Sequence, residues 1–459
     1  MRVGELGFWH RSTGGPPRPR PPLTGSLSAD VAIVGAGFTG LWIAYYLKKA
    51  DPSLNVVVLE SEFAGYGASG RNGGWVIGFC EGSPENYASR GGEASVFALQ
   101  RGLIDTVDEV GGVMGREGIE ADFHKGGALT VAVNPAQEQR LRSGVEHSRR
   151  GWGLEEADLH ILEREQVERR IRVAGARCAS YTPHTARVHP GRLVRGLADV
   201  VEGLGVSIHE STRVGEIRPH EALTERGTVT AEWVVRATEG YTASLRGQGR
   251  ELVPLNSSMI VTEPLPETVW DEIGWRDFDS LGDGANKYIY AQRTADGRIA
   301  IGGRGVPYRF ASRPDFGAET ADTTVASLKE KLEALFPATA GAAVDHAWSG
   351  VLGVPRDWCV SVNADRESGL ASAGGYSGQG VAASNLAGRI LRDLMLGRES
   401  KLTGLPWVGH QSPRWEVEPL RFAAIHATWA LYGQADKIEA RTGRPSLLAR
   451  TIDSLSGRH

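Results

Sequence analysis

Cysteine is scarce in this chain. Cys80, Cys178 and Cys359 are its only three, and their wide spacing gives neither a disulfide framework nor a zinc-ligand pattern, which suits a reducing compartment. Excess positive charge is missing too. The 51 Lys and Arg stand against 55 Asp and Glu, a net charge of −4, so there is no nucleic-acid-binding footprint. One uncharged stretch, Val31 to Leu47, approaches the lower limit of a membrane span, but three glycines divide it into strand and helix. The N-terminus lacks signal-peptide character, because Glu5 and a stiff proline run from Pro16 to Pro22 interrupt it. These absences predict a cytoplasmic protein with no resident metal, no nucleic-acid partner and no integral membrane segment. Glycine, by contrast, is abundant: 60 residues, about twice the ~7% background, with no collagen-like period.

Much of that glycine sits where a dinucleotide fold needs it. Residues 30–40 read Asp30-Val31-Ala32-Ile33-Val34-Gly35-Ala36-Gly37-Phe38-Thr39-Gly40, and Glu60 ends a second apolar run twenty residues later. The β-branched run Val31 to Val34 reads as a buried parallel strand. Gly35 permits the tight turn, Gly37 lets backbone N–H groups approach a pyrophosphate, and Gly40 lets the helix pack on the strand. The helix, about Phe38 to Lys49, aims its N-terminus at the phosphates, with Phe38 and Thr39 in its first turn. The strand Asn55 to Leu59 delivers Glu60 to the ribose hydroxyls.

Beyond Glu60 the chain departs from the usual continuation of an NAD domain. Ala64-Gly65-Tyr66-Gly67-Ala68-Ser69-Gly70-Arg71-Asn72-Gly73-Gly74-Trp75 is polar and glycine-dense, without helical or strand period. It resembles the flavin-binding segment of the D-amino-acid-oxidase superfamily of FAD oxidoreductases. The phrase from Gly67 to Gly74 is similar to the γ-glutamylputrescine oxidase branch, and the likeness extends to Trp9 with the proline cluster and to a C-terminal glycine motif. The resemblance implies FAD held by Gly35, Gly37, Phe38, Thr39, Gly40, Glu60 and Ser61. It adds Gly67, Ala68, Ser69, Arg71, Asn72, Gly73, Gly74 and Trp75, then Val214, and Thr238 and Gly240 just after a later strand, Trp233 to Ala237. The C-terminal motif contributes Gly375, Ser377, Gly378, Gln379, Gly380 and Val381. There a glycine-rich turn feeds a helix N-terminus, a second place for negative charge.

The expected fold is α/β, a discontinuous Rossmann-like FAD-binding domain plus a substrate domain with an antiparallel sheet. An N-terminal arm, 1–29, lies over the surface. Segments 30–90, 175–250 and 350–400 build the FAD domain, 91–174 and 251–349 the substrate domain, and 401–459 a helical tail. Periodicity predicts a helix from Glu93 to Val110, a strand from Gly126 to Asn134, and charged surface helix and turn from Gln137 to Arg169. Strand-like runs at 259–261, 288–292, 298–302 and 347–351 suggest an antiparallel meander, with Asp296-Gly297 as a hairpin turn.

Flavin amine oxidation asks for shape and orientation more than for a triad. Candidates at the ring are Tyr288 and Tyr290, which leave the strand on one face, Arg304 as a bidentate carboxylate ligand, Trp348 and Tyr376. His189, before a proline, reads as a helix-start residue rather than a base. The expected reaction is hydride transfer from an amine or amino acid to flavin, with hydrolysis of the imine. Two alternatives stay open: an NADPH-using flavin monooxygenase without a second nucleotide domain, and a non-catalytic flavoprotein subunit. The strand Arg298 to Ile301 has no lysine of the kind that helps dioxygen accept electrons in some superfamily members. The acceptor is therefore oxygen, a quinone or an electron-transfer protein.

Overall fold

The structure, a computed structural model, describes residues 6–303, 305, 308–313 and 320–456, the last three without side chains. Its first sheet grows outward from the strand Leu27–Val34. That strand pairs in parallel with Val56–Leu59 on one side and Gly227–Arg236 on the other. Ser207–His209 extends it in parallel past Val56–Leu59, and Leu370–Gly374 past Gly227–Arg236. Ser361–Asp365 and the hairpin of Val214–Arg218 with Glu221–Thr224 add antiparallel edges.

Alternation along the central strand sorts its side chains between two layers. Val31 and Ile33 join a core formed with the helices Phe38–Ala50, Pro190–Gly203 and Gly380–Met395, whereas Ala32 and Val34 face Val214, Ala222 and Leu245 beneath the hairpin. Every residue of Val31–Val34 is buried, as expected of a parallel strand covered on both faces.

The second sheet runs in the order 344–354, 253–262, 299–303, 289–293, 280–283, 128–132, 178–182 and 160–163. All its pairs are antiparallel except Ser280–Asp283 with Ala128–Ala132, which run parallel. The Asp296-Gly297 hairpin forms as expected, with Gly297 at φ +76°. Leu328, Leu332 and Leu335 of the helix Asp322–Leu335 cover this sheet's core.

Three expected boundaries move. The predicted helix at 93–110 starts as expected, just after a break at Gly92 (φ +75°) within Pro84–Glu117, but it runs on to Glu117. Its Val96, Leu99, Leu103, Val107 and Val110 pack into the core of the first sheet. It therefore sides with the dinucleotide half. Cys178–Thr182 does the reverse: it pairs with Ala128–Ala132 and His160–Glu163 in the second sheet. The strand His160–Glu163 lies inside a stretch expected to be helix and turn, because its four residues carry too little alternation to stand out.

The arm is also more than a surface layer. Phe8 and Trp9, from the short helix Phe8–Arg11, are buried against Trp348. Trp9 Nε1 donates to the Asn72 carbonyl at 2.8 Å, and a ring nitrogen of His10 lies 3.1 Å from the Gly65 carbonyl. The arm thus braces the glycine-rich segment from behind. Among the described residues, no helix is long and apolar enough to cross a membrane.

Candidate active site

Parallel strands end together, and their carboxyl ends open one crevice. Val34 and Gly35, Leu59 and Glu60, and Ala237 and Thr238 all line it, beside Phe38 and Thr39 of the helix N-terminus. Gly35 is at φ +108°, and a Cβ there would overlap the Ala237 carbonyl. The Glu60 carboxylate accepts from Ala36 N at 2.8 Å and Glu62 N at 3.0 Å, yet desolvation pushes its pKa up to about 7. A carboxylate held so is short of donors, and ribose hydroxyls supply them. Ser69, also on the wall, accepts from Phe38 N at 2.7 Å and so ties the glycine-rich segment to the helix start. Ser61, Gly67, Ala68, Asn72, Val214, Gly240, Gly378, Gly380 and Val381 line the same cavity.

The second glycine turn is held by a residue that composition did not single out. Glu239, at φ +42°, accepts from Gly375 N at 3.0 Å and Tyr376 N at 3.1 Å, and it lines the cavity. Desolvation raises its pKa to about 7 against those N–H donors. Tyr376 stands in the same cavity, its hydroxyl accepting from Thr39 Oγ1 at 3.2 Å, and burial drives its pKa far up. It lines this cavity and not the one beside it.

A second cavity of about 430 Å³ adjoins the first. Ala68, Asn72, Leu352, Gly378 and Val381 line both. Arg71, Gly73, Trp75, Tyr288, Tyr290, Ser377 and Gln379 line the second, so the sequence candidates of both tyrosines and Trp75 come together here. Tyr290 Oη is 2.8 Å from Ser257 Oγ, and its ring meets Trp75 edge-on at 6.5 Å. Arg71 Nε donates to the Tyr66 carbonyl at 2.7 Å. Gln379 Nε2 donates to Glu81 at 3.1 Å, whereas Gln379 Oε1 and Trp75 Nε1 are buried without a partner among the described residues.

Some candidates fall elsewhere. Trp348 is fully buried against Phe8 and Trp9, donates to the Arg71 carbonyl at 2.8 Å and lines neither cavity. Its face of the strand is covered by the arm. Gly40, Gly74 and Gly375 also line neither cavity; a Cβ at Gly40 would overlap the Gly35 carbonyl, one at Gly74 the Val188 carbonyl, and Gly375 turns at φ +83°. They serve packing and turn geometry. Arg304 lies outside the described residues. His189 is a helix cap, its Nδ1 accepting from Arg192 N at 3.1 Å, and burial lowers its pKa to about 4. Sequence reasoning missed Glu81, Arg140, Ser257 and Asp283 of the second cavity and Arg213 and Tyr241 of the first. Only Glu239 and Tyr241, in the phrase Thr238-Glu239-Gly240-Tyr241 after a strand, carried a local signal.

The first cavity suits an adenine dinucleotide: free backbone geometry at a helix start, an under-satisfied carboxylate where the second strand ends, and a second glycine turn at the far end. A family model described as FAD dependent oxidoreductase matches residues 30–394. The chain is 30% identical over 402 residues to a probable oxidoreductase, OrdL, of Haemophilus influenzae, covering 83% of this chain and 86% of that one. It is 29% identical over 438 residues to gamma-glutamylputrescine oxidoreductase of Escherichia coli, covering 91% and 95%. Among solved structures, glycine oxidase from Geobacillus kaustophilus superposes with a TM-score of 0.67 at 22% identity, over 81% of this chain and 96% of that one.

Proposed function

Because the chain belongs to the family of FAD-dependent oxidoreductases and acts on amines or amino acids with FAD as cofactor, we propose that its own substrate is an extended amine carrying an amide or carboxylate group, of the γ-glutamylated polyamine kind. The second cavity carries this reading. It opens on the cofactor cavity along Ala68, Asn72 and Gly378 and has aromatic walls in Trp75, Tyr288 and Tyr290. At about 430 Å³ it falls within the range of small-molecule sites. The full-length likeness to gamma-glutamylputrescine oxidoreductase supports the substrate class.

FAD, when bound, supplies the acceptor for a hydride and its electron pair. The chain's residues orient the other reactant. The rings of Trp75, Tyr288 and Tyr290 wall the cavity and exclude water from the α-carbon. The experiment is an anaerobic panel of γ-glutamylated diamines, N-methyl amino acids and α-amino acids, monitored at the flavin band near ~450 nm. Bleaching fastest with α-amino acids would overturn the substrate class. Oxygen uptake compared with reduction of a quinone analogue then assigns the acceptor.

The flavin is expected to be non-covalent. Covalent attachment through a thiol or imidazole needs Cys or His at the ring, and among the described residues neither cavity is lined by either. Trichloroacetic acid should therefore release all the yellow colour into the supernatant. Colour kept in the pellet would refute this.

A further inference from the structure

One wall of the second cavity is held by an element outside the region matched by the family, which ends at residue 394. The helix Leu420–Thr442 presents Asp436 and Glu439, three residues apart and so on one face, to that wall. Asp436 accepts from Asn286 N at 2.8 Å, Asn286 Nδ2 at 2.9 Å and Lys287 N at 2.9 Å. Lys287 Nζ sits 4.2 Å from the centre of the Trp429 ring on the same helix. These contacts fix the loop whose Gly284, Ala285 and Tyr288 line the cavity. Glu439, 1% exposed, takes both oxygens to Arg140 Nη2, at 2.6 and 2.5 Å. Arg140 lines the cavity and also donates to the Gly284 carbonyl.

A buried carboxylate is costly unless paired, and its partner here is a cation on the cavity wall. The pairing therefore decides what charge a ligand meets there. On the same wall, next to Gly284, Asp283 has a neutralising partner of its own in Lys331, 3.5 Å away. We propose that Glu439 and Asp436 of the C-terminal helix are positioning residues that set the specificity of the second cavity, Glu439 by cancelling the charge of Arg140 and Asp436 by fixing the 284–288 loop. Arg140 so neutralised does not attract carboxylates, and this wall accepts the chain of an amine. The proposal rests on the reading of the second cavity as the substrate site.

Benzoate and benzylamine, similar in shape and opposite in charge, test it through the flavin absorbance change on binding to the FAD-loaded enzyme. Glu439→Gln exposes Arg140, so benzoate should bind roughly ten-fold tighter and benzylamine weaker by a similar factor. FAD content should not change. Arg140→Gln should shift both ligands the opposite way, and it serves alone if Glu439→Gln does not fold. Arg140→Gln/Glu439→Gln, with neither charge, should return both affinities to near wild type. A purely structural role predicts instead that both ligands weaken together and that the double variant is no better than the singles; that pattern would overturn the proposal, as would unchanged affinities in Arg140→Gln. Failure of the amine-oxidation reading has a different signature: the charge effects on binding persist, but no amine bleaches the flavin.

Discussion

Gly40→Ala should yield no folded protein to load with cofactor, whereas Gly37→Ala should fold and remain colourless. The two glycines belong to one motif but stand in different surroundings. A Cβ on Gly40 would overlap the backbone carbonyl of Gly35 and lie 3.0 Å from Ile33 Cγ2. Neither neighbour yields easily, because Gly35 turns at φ +108° and Ile33 is fully buried in the central strand. The helix would have to lift off the sheet, at a cost of about 3 kcal/mol or more, the upper end for overpacking. That is a large share of a domain's whole stability. Gly37 is different. Its φ of −84° suits any residue, and its Cβ would meet only the Ser69 hydroxyl, at 2.9 Å. The apoprotein should lose about 1 to 2 kcal/mol, since that hydroxyl must turn aside and give up the Phe38 N–H. The added methyl, however, stands in the cofactor cavity beside the helix start, where the pyrophosphate must approach the backbone. FAD affinity should fall roughly a hundred-fold or more, which is about 2.7 kcal/mol. Thermal unfolding by circular dichroism and the absorbance of the purified protein separate the two. A yellow, stable Gly40→Ala protein would show that helix and strand have slack that the geometry denies.

That contrast marks how far the sequence could be read. Local chemistry was legible wherever one short stretch carried a whole function. The strand, turn, helix and acid from Val31 to Glu60 formed as expected, and so did the Asp296-Gly297 hairpin and the His189 cap. The second cavity was harder, because its wall combines residues from strands and loops far apart in the chain, Thr130, Ser257, Asp283 and Tyr290 among them. Alternation says that Tyr288 and Tyr290 share a face, but not what lies opposite. Trp348 shows the same limit from the other side. It looked available for a ligand, and the arm residues Phe8 and Trp9, more than 300 positions earlier, cover it. The helix at 93–110 had a clear period, but no pattern within it told which of two sheets it would join. Assignments failed where the partner, and not the element, had to be known.

Glu239→Gln should flatten the pH dependence of the apoprotein's stability between about pH 4.5 and pH 7. Glu239 lines the cofactor cavity, and desolvation raises its pKa from 4.5 to about 7, despite N–H donors from Gly375 and Tyr376. A group whose pKa is raised on folding binds its proton more tightly in the native state. Its contribution is then full below pH 4.5 and is lost as pH rises through about 7. At 1.36 kcal/mol per tenfold, that interval is worth at most about 3.4 kcal/mol, and less where water in the open cavity screens the charge. The amide cannot ionise, so the variant should gain on wild type from pH 5 to about pH 7 and then level off. It also loses an acceptor for the glycine turn, which lowers its stability by about 1 to 3 kcal/mol where the wild-type group is charged and opposes part of that gain. Glu60, raised to about 7 by the same cause, titrates with the same sign, so the fall in stability should shrink further in Glu60→Gln/Glu239→Gln, leaving the opposite slope of His10 and His189, whose pKa values burial lowers to about 4. Urea midpoints of FAD-free wild type and variants, at half-unit steps from pH 5 to pH 8, give the comparison. If wild type and Glu239→Gln stay parallel across that range, Glu239 is ionised throughout, and the N–H groups of the glycine turn outweigh its desolvation.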